Sequence, residues 1–78
     1  MEQLKKELKK LFRLEPYTGY RYQQAHKVNE LTKQLNIHLH YSIDSKRKIA
    51  KVEFLKKDKG LYETIDNIII ENIKLEVR

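Results

Sequence analysis

Two clusters of basic residues are the part of this sequence best suited to a chemical task, the binding of anionic groups. The first cluster lies in the opening segment and consists of Lys5, Lys6, Lys9, Lys10 and Arg13. The second lies on the predicted hairpin and consists of Lys46, Arg47, Lys48, Lys51, Lys56, Lys57 and Lys59, of which the first four are assigned to the predicted site. Lysine and arginine displace counterions from phosphates, so affinity depends more on their number than on their placement. The clusters therefore predict contact with nucleic acid, and the alternative is a solvated surface that keeps a small domain soluble.

Tyrosines lie close to an arginine between the two clusters. Tyr17, Tyr20 and Tyr22 surround Arg21. An exposed tyrosine beside arginine can stack on an unpaired base, whereas a tyrosine near a helix start also serves as a core anchor with a solvated hydroxyl. We assign Tyr17, Tyr20 and Arg21 to the predicted nucleic-acid site and expect Tyr22 in the core.

The residue patterns that catalysis needs are missing from this sequence. It contains no cysteine, which excludes disulfides, thiolate metal sites and cysteine nucleophiles. Gly19 and Gly60 are its only glycines, so a glycine-rich phosphate loop is excluded, and no serine or threonine lies in a nucleophile motif. The sequence therefore predicts a protein that is not an enzyme, needs no cofactor and has no evident small-molecule substrate.

Two histidines have the spacing of a metal site. His38 and His40 lie two residues apart and would point to the same side of a strand, which can place two imidazoles on one metal ion. A third ligand would have to come from His26 or from a distant carboxylate such as Glu53. Paired surface histidines on a half-buried strand explain the spacing without a metal, so we predict no metal site.

The net charge favours an anionic partner. The chain has a formal charge of +6 and an isoelectric point near 9.6. Residues 1–60 contain fifteen Lys or Arg against seven Asp or Glu, whereas residues 61–78 contain two against four. A nucleic acid or an acidic protein surface therefore fits better than a neutral small molecule.

Hydropathy gives an expectation about location. No apolar run approaches the ~18 residues that a membrane-spanning helix needs, and no export signal is evident. We expect a cytoplasmic protein without membrane contact. Its lysine-rich and isoleucine-rich composition is common in AT-rich bacteria and their phages, and we infer from it an accessory protein of a phage or another mobile element.

Two amphipathic segments must position the first cluster. Apolar residues at positions 1, 4, 8 and 11 predict a helix over residues 2–12, with the lysines on its outer surface. Proline disfavours helical geometry in the residue before it, so Pro16 ends this helix and residues 16–19 form a turn. A second apolar stripe predicts a helix over residues 20–35 and consists of Tyr22, Ala25, Val28, Leu31 and Leu35.

From residue 37 the period of the pattern changes to two. Residues 37–44 and 49–56 alternate apolar and polar side chains, which predicts two strands joined by the basic tip Ser45-Lys46-Arg47-Lys48. The alternation lapses at Leu55, so we expect a bulge or the end of the second strand there. Gly60 suits the left-handed position of a three-residue hairpin loop.

The last segment admits two interpretations. Ile73, Leu75 and Val77 alternate with charged residues, which is typical of a strand, whereas residues 64–71 can also satisfy a short helix. Three adjacent isoleucines at 68–70 lose rotamer freedom in a helix. We therefore predict a strand that bends near residues 66–67.

These elements predict a single α+β domain over residues 1–78, with two N-terminal helices packed on one face of a three-stranded antiparallel meander. Two functions fit it. A nucleic-acid-binding module would use either the second helix with the basic tip as a wing, or the outer sheet face with His38, His40, Lys51 and Glu53. A protein-interaction or assembly module would instead form a homodimer or pair with another chain through the edge strand at residues 68–77.

Residues 35–65 carry a short resemblance to a known family. Leu35-Asn36, Tyr41-Ser42-Ile43-Asp44, Lys51-Val52 and Gly60 occur in an order similar to the strand segment of the FlaG family of flagellar proteins. The resemblance covers less than half of the chain and lacks that family's Ile-Arg-x-Ile-Pro ending. No role is transferred from it.

Overall fold

The computed structural model describes residues 1–75 and places two helices against a three-stranded antiparallel sheet. The elements in chain order are α1 (Glu2–Arg13), α2 (Gly19–Leu35), β1 (His38–Asp44), β2 (Ile49–Asp58) and β3 (Leu61–Ile70). The strands lie in the order β1-β2-β3. The predicted α+β class and meander are confirmed.

Helix α1 covers the sheet with its apolar stripe. Leu4, Leu8 and Phe12 are buried in one core cluster with the sheet residues Val52 and Phe54. Glu2 lies in the first turn of α1, and Lys10 and Arg13 lie in the last, so both ends of the helix dipole are complemented. The helix ends at Arg13, and Leu14 is already extended two residues before Pro16.

Helix α2 packs along α1 through a narrower face. The Thr18 hydroxyl caps its first turn by accepting the Arg21 backbone N–H at 3.2 Å. Val28 is its buried residue among those described, and Ala25 and Leu31 are half-buried. The expectation that Tyr22 lies in the core is wrong, because its side chain is 63% exposed at the first turn, over an open cleft beside Phe12.

The inner face of the sheet contributes Ala50, Val52, Phe54 and Ile70 to the core, whereas Tyr41 and Ile43 on β1 remain exposed. Tyr41, Val52 and Ile68 lie in register across the three strands, and so do Ile43, Ala50 and Ile70. The ring of Tyr41 meets the ring of Phe12 edge to face at 5.6 Å, which links β1 to α1.

The β2–β3 hairpin is longer than the sequence predicts. Its register shifts between Phe54 and Leu55, where the lapse in alternation predicts a bulge, and β2 continues to Asp58. Ile65 is the extra residue on β3, next to the predicted bend. Lys59 and Gly60 have φ of 50° and 84° and join the strands by themselves. The left-handed Gly60 is confirmed, whereas the three-residue loop is wrong because two adjacent left-handed residues close a tighter turn.

The chain leaves the sheet after Ile70. Asn72, with φ of 56°, turns it across the end of the sheet, so the strand predicted for Ile73 and Leu75 is wrong. The backbone N–H of Ile73 donates to the Lys48 carbonyl at 3.1 Å, and that of Lys74 donates to the Phe12 carbonyl at 2.7 Å. Burial of Ile73 and these two bonds outweigh continued strand pairing. Val77 lies outside the described residues.

Candidate nucleic-acid interface

The two helices lie side by side and leave an open groove of about 710 Å³ between them. We call it the cationic groove, because its charged lining residues are all basic: Lys6, Lys9, Lys10, Arg13 and Lys27. Uncharged residues complete the lining, and they are Leu14, Tyr20, Gln23 and Gln24.

The walls of the cationic groove follow directly from helical geometry. On α1 the lining cations recur at positions 6, 9, 10 and 13, which is one helical stripe. On α2 the lining residues recur at positions 20, 23, 24 and 27, which is the same spacing. Two matched stripes therefore face each other across the groove, one made of four cations and the other of an aromatic, two amides and a lysine.

A buried carboxylate fixes the relative position of the walls. Glu7 is 2% exposed, and its Oε2 accepts the Gln24 Nε2–H at 2.6 Å. The same amide donates to the Glu7 backbone carbonyl at 2.8 Å, and Gln3 Nε2 donates to Glu7 Oε1 at 2.9 Å. Lys27 Nζ lies 3.8 Å from Glu7 Oε2. The carboxylate thus holds Gln24 and Lys27 in place at the α2 wall.

These contacts shift the titration of Glu7. The Gln24 hydrogen bond lowers the pKa of the Glu7 carboxyl, burial opposes that effect, and the positive charges of Lys27, Lys10 and Lys6 add to it. Glu7 therefore stays ionised at neutral pH. Sequence reasoning missed it, although its place three residues after Leu4 and four before Leu11 puts it within the apolar stripe of α1.

Most of the groove cations have no acidic partner. Within residues 1–75, Lys6, Lys9, Lys10 and Arg13 form no ion pair and no side-chain hydrogen bond, and Lys27 alone among the lining cations meets a carboxylate. Like charges three and four residues apart destabilise a helix slightly. A bound polyanion would relieve that repulsion.

Two of the predicted site residues lie outside the groove and are engaged elsewhere. Lys5 Nζ pairs with Asp66 Oδ2 at 2.5 Å, which ties α1 to β3, raises the pKa of Lys5 and lowers that of Asp66. Arg21 donates to the carbonyls of Leu14 and Lys74 at 2.9 and 3.1 Å, and its guanidinium lies 6.0 Å from the centroid of the Phe12 ring. Both residues therefore connect separate parts of the fold.

The second basic cluster forms a separate surface. Lys46, Arg47 and Lys48 are exposed in the turn between β1 and β2, which we call the hairpin tip (residues 45–48). The Asp44 Oδ1 accepts the backbone N–H groups of Lys46 and Arg47 at 3.1 and 3.2 Å. Lys51 lies on the sheet face away from the helices, and Tyr17 lines a cleft with Phe12 and Tyr22. Of the predicted residues, the groove gathers five: Lys6, Lys9, Lys10, Arg13 and Tyr20.

The outer sheet face, which bears His38, His40, Lys51 and Glu53, is exposed. His38 meets the ring of Tyr62 edge to face at 5.0 Å, and Lys57 Nζ lies 5.8 Å from the centroid of the same ring. No group of three His, Cys, Asp or Glu side chains in the described part of the chain is arranged to hold a metal ion. This face carries both acidic and basic side chains. The ring of Tyr62 on it is already in contact with His38 and Lys57.

Comparison with known proteins identifies no family and no function for the chain. No family model, curated protein or solved structure matches the chain, so the short likeness of residues 35–65 to the FlaG family carries no weight. Within residues 1–75 neither helix has the length and apolar character needed to cross a membrane. Evidence for a function must therefore come from the geometry of the surface.

Proposed function

We propose that this protein is a non-catalytic nucleic-acid-binding module that holds phosphates in the cationic groove. The observation that supports this best is the stripe of four unpaired cations on α1, set in a concave surface rather than spread over a convex one. A cytoplasmic role in a phage or another mobile element is part of the same proposal.

The groove suits a phosphate chain for electrostatic reasons. Each lysine neutralises one phosphate as a compact point charge, and Arg13 can bind two phosphate oxygens at once. Binding releases the counterions condensed on the nucleic acid, and this gain is independent of base sequence. The affinity should therefore be salt-dependent and weakly specific for sequence.

A charge-matched pair of variants tests the location of the site. The groove variant carries Lys6→Gln, Lys9→Gln and Lys10→Gln, and the control carries Lys56→Gln, Lys57→Gln and Lys59→Gln near the β2–β3 turn. Glutamine keeps helix propensity and removes one charge per site. We expect the groove variant to bind oligonucleotides roughly tenfold more weakly at low salt, and the control to bind within about twofold of the parent.

Equal weakening in both variants would show that only net charge matters and would overturn the groove assignment. A third variant with Lys46→Gln, Arg47→Gln and Lys48→Gln measures any contribution of the hairpin tip. A loss confined to that variant would move the site to the tip.

A second candidate function is assembly through the edge of the sheet. Strand β3 is an edge strand along its whole length, and Leu61, Ile65 and Ile69 are exposed on it. An exposed apolar edge is a template for pairing with another strand. Sedimentation velocity over a range of protein concentrations tests it: self-association that Ile69→Lys abolishes, without nucleic-acid binding at low salt, would favour assembly.

A further inference from the structure

We infer that the cationic groove takes single-stranded nucleic acid, with its phosphates along α1 and one unpaired base stacked on Tyr20 of α2. This inference rests on the proposed function and specifies its ligand. DNA and RNA single strands share the chemistry concerned, which is an anionic backbone bearing bases with a free face.

Tyr20 is available to a ligand in a way that Tyr22, Tyr41 and Tyr62 are not. Its side chain is 77% exposed in the groove wall, and within residues 1–75 its ring contacts no other ring or cation and its hydroxyl forms no hydrogen bond. Tyr41 packs against Phe12, and Tyr62 against His38 and Lys57. Tyr22 is exposed but faces the cleft whose one cation, Arg21, is already engaged.

The two walls of the groove offer different contacts, charge on α1 and an aromatic ring on α2, and this combination favours a single strand over a duplex. In a duplex the bases are stacked on each other and present only their edges, so a tyrosine face gains nothing from them. An unpaired base offers its face, and stacking on an aromatic ring tolerates any base. The α1 wall supplies charge for the backbone, and the α2 wall supplies an aromatic face on the other side of the groove.

One amide in the α2 wall remains able to read the stacked base. Gln24 donates two hydrogen bonds to Glu7, whereas Gln23 is exposed and forms none within the described chain. Gln23 lies one turn after Tyr20, so its amide can donate to or accept from a base edge. A groove of about 710 Å³ has the size of a small-ligand site, which suits a short stretch of one strand.

Three tyrosine variants test the inference in the full chain. Fluorescence anisotropy would measure the binding of labelled DNA and RNA single strands and of the matching duplexes to Tyr20→Ala, Tyr22→Ala and Tyr62→Ala. We expect tighter binding of either single strand than of its duplex. Tyr20→Ala should weaken single-strand binding about tenfold while leaving its salt dependence unchanged, because it removes stacking but no charge.

The other two variants are the controls and should stay within about twofold of the parent. Equal affinity for duplex and single strand, or an unaltered Tyr20→Ala, would overturn the inference, and a loss confined to Tyr62→Ala would move stacking to the outer sheet face. The proposed function fails differently, by insensitivity of all binding to Lys6→Gln, Lys9→Gln and Lys10→Gln. Circular dichroism of each variant separates lost contacts from lost folding.

Discussion

At the scale of single residues, Glu7 links the two walls of the cationic groove through its contacts with Gln24 and Lys27. A carboxylate that is 2% exposed is tolerated because Gln3, Gln24 and Lys27 satisfy it. Its charge also sits beneath a stripe of cations and offsets part of their mutual repulsion. The groove walls therefore depend on one ionised group between α1 and α2.

This dependence predicts acid sensitivity. The pKa of Glu7 is lowered in the folded state, so its stabilisation is present above the unfolded pKa of about 4.3 and is lost as pH falls through the folded value. We expect Glu7→Gln to be less stable than the parent near neutral pH and to lose less stability on acidification. Urea midpoints at about pH 7 and about pH 3.5 measure both effects, and an unchanged pH dependence would contradict this role.

Asp66 is the second carboxyl group whose pKa is lowered, and the Asp66→Asn variant provides the comparison for Glu7→Gln. The Lys5 ion pair and the Asn67 backbone N–H lower the pKa of Asp66, so its contribution is also lost on acidification. Lys5 has a raised pKa, and its contribution is lost only as pH rises through that value, above about 10.4. The pair is therefore intact between these limits.

The sequence shows which residues are basic or aromatic. It does not show which of them form ion pairs or hydrogen bonds within the fold. Lys5 and Lys6 are neighbours in sequence, yet about 100° of helical rotation turns one toward Asp66 and the other toward the groove. The sequence predicts that Arg21 contacts bases, but in the fold its guanidinium donates to the Lys74 carbonyl, 53 residues away. Such pairing depends on tertiary neighbours far away in sequence.

At the scale of elements, the helices and the first hairpin were predictable because their periods are unambiguous. The segment after Ile70 was not predictable. Alternation at Ile73 and Leu75 fits a strand, but it fits equally well an irregular segment that buries Ile73 against the end of α1. The stripe at positions 20, 23, 24 and 27 was readable in the sequence. A mostly polar stripe is also what a solvated helix face shows, so the sequence does not single these positions out as a site.

The β2–β3 turn gives an element-scale prediction. A methyl group at Gly60 would meet no atom within 4 Å, so the cost of Gly60→Ala comes from its φ of 84°. We expect a loss of about 1–2 kcal/mol in the free energy of unfolding, measured by urea denaturation. Gly19→Ala is the control, because Gly19 is helical with open space around it and should be neutral or slightly stabilising. Equal effects at both glycines would contradict this account.

At the scale of the whole molecule, the basic residues divide into distinct surfaces. The cationic groove lies between the helices, the hairpin tip lies at one end of the sheet, and Lys56, Lys57 and Lys59 lie near the β2–β3 turn. The groove differs from the other surfaces in gathering five basic side chains and in having an aromatic residue, Tyr20, in the wall opposite those of α1.

The most direct test of phosphate binding in the groove is the salt dependence of single-strand affinity. For four phosphate contacts, the slope of log K against log salt should be near −3, since each contact contributes about −0.7. We expect the Lys6→Gln, Lys9→Gln and Lys10→Gln variant to lower its magnitude by about 2, and the Lys56→Gln, Lys57→Gln and Lys59→Gln variant to leave it unchanged. A slope that is indifferent to the groove lysines but falls in the other variant would contradict the central claim.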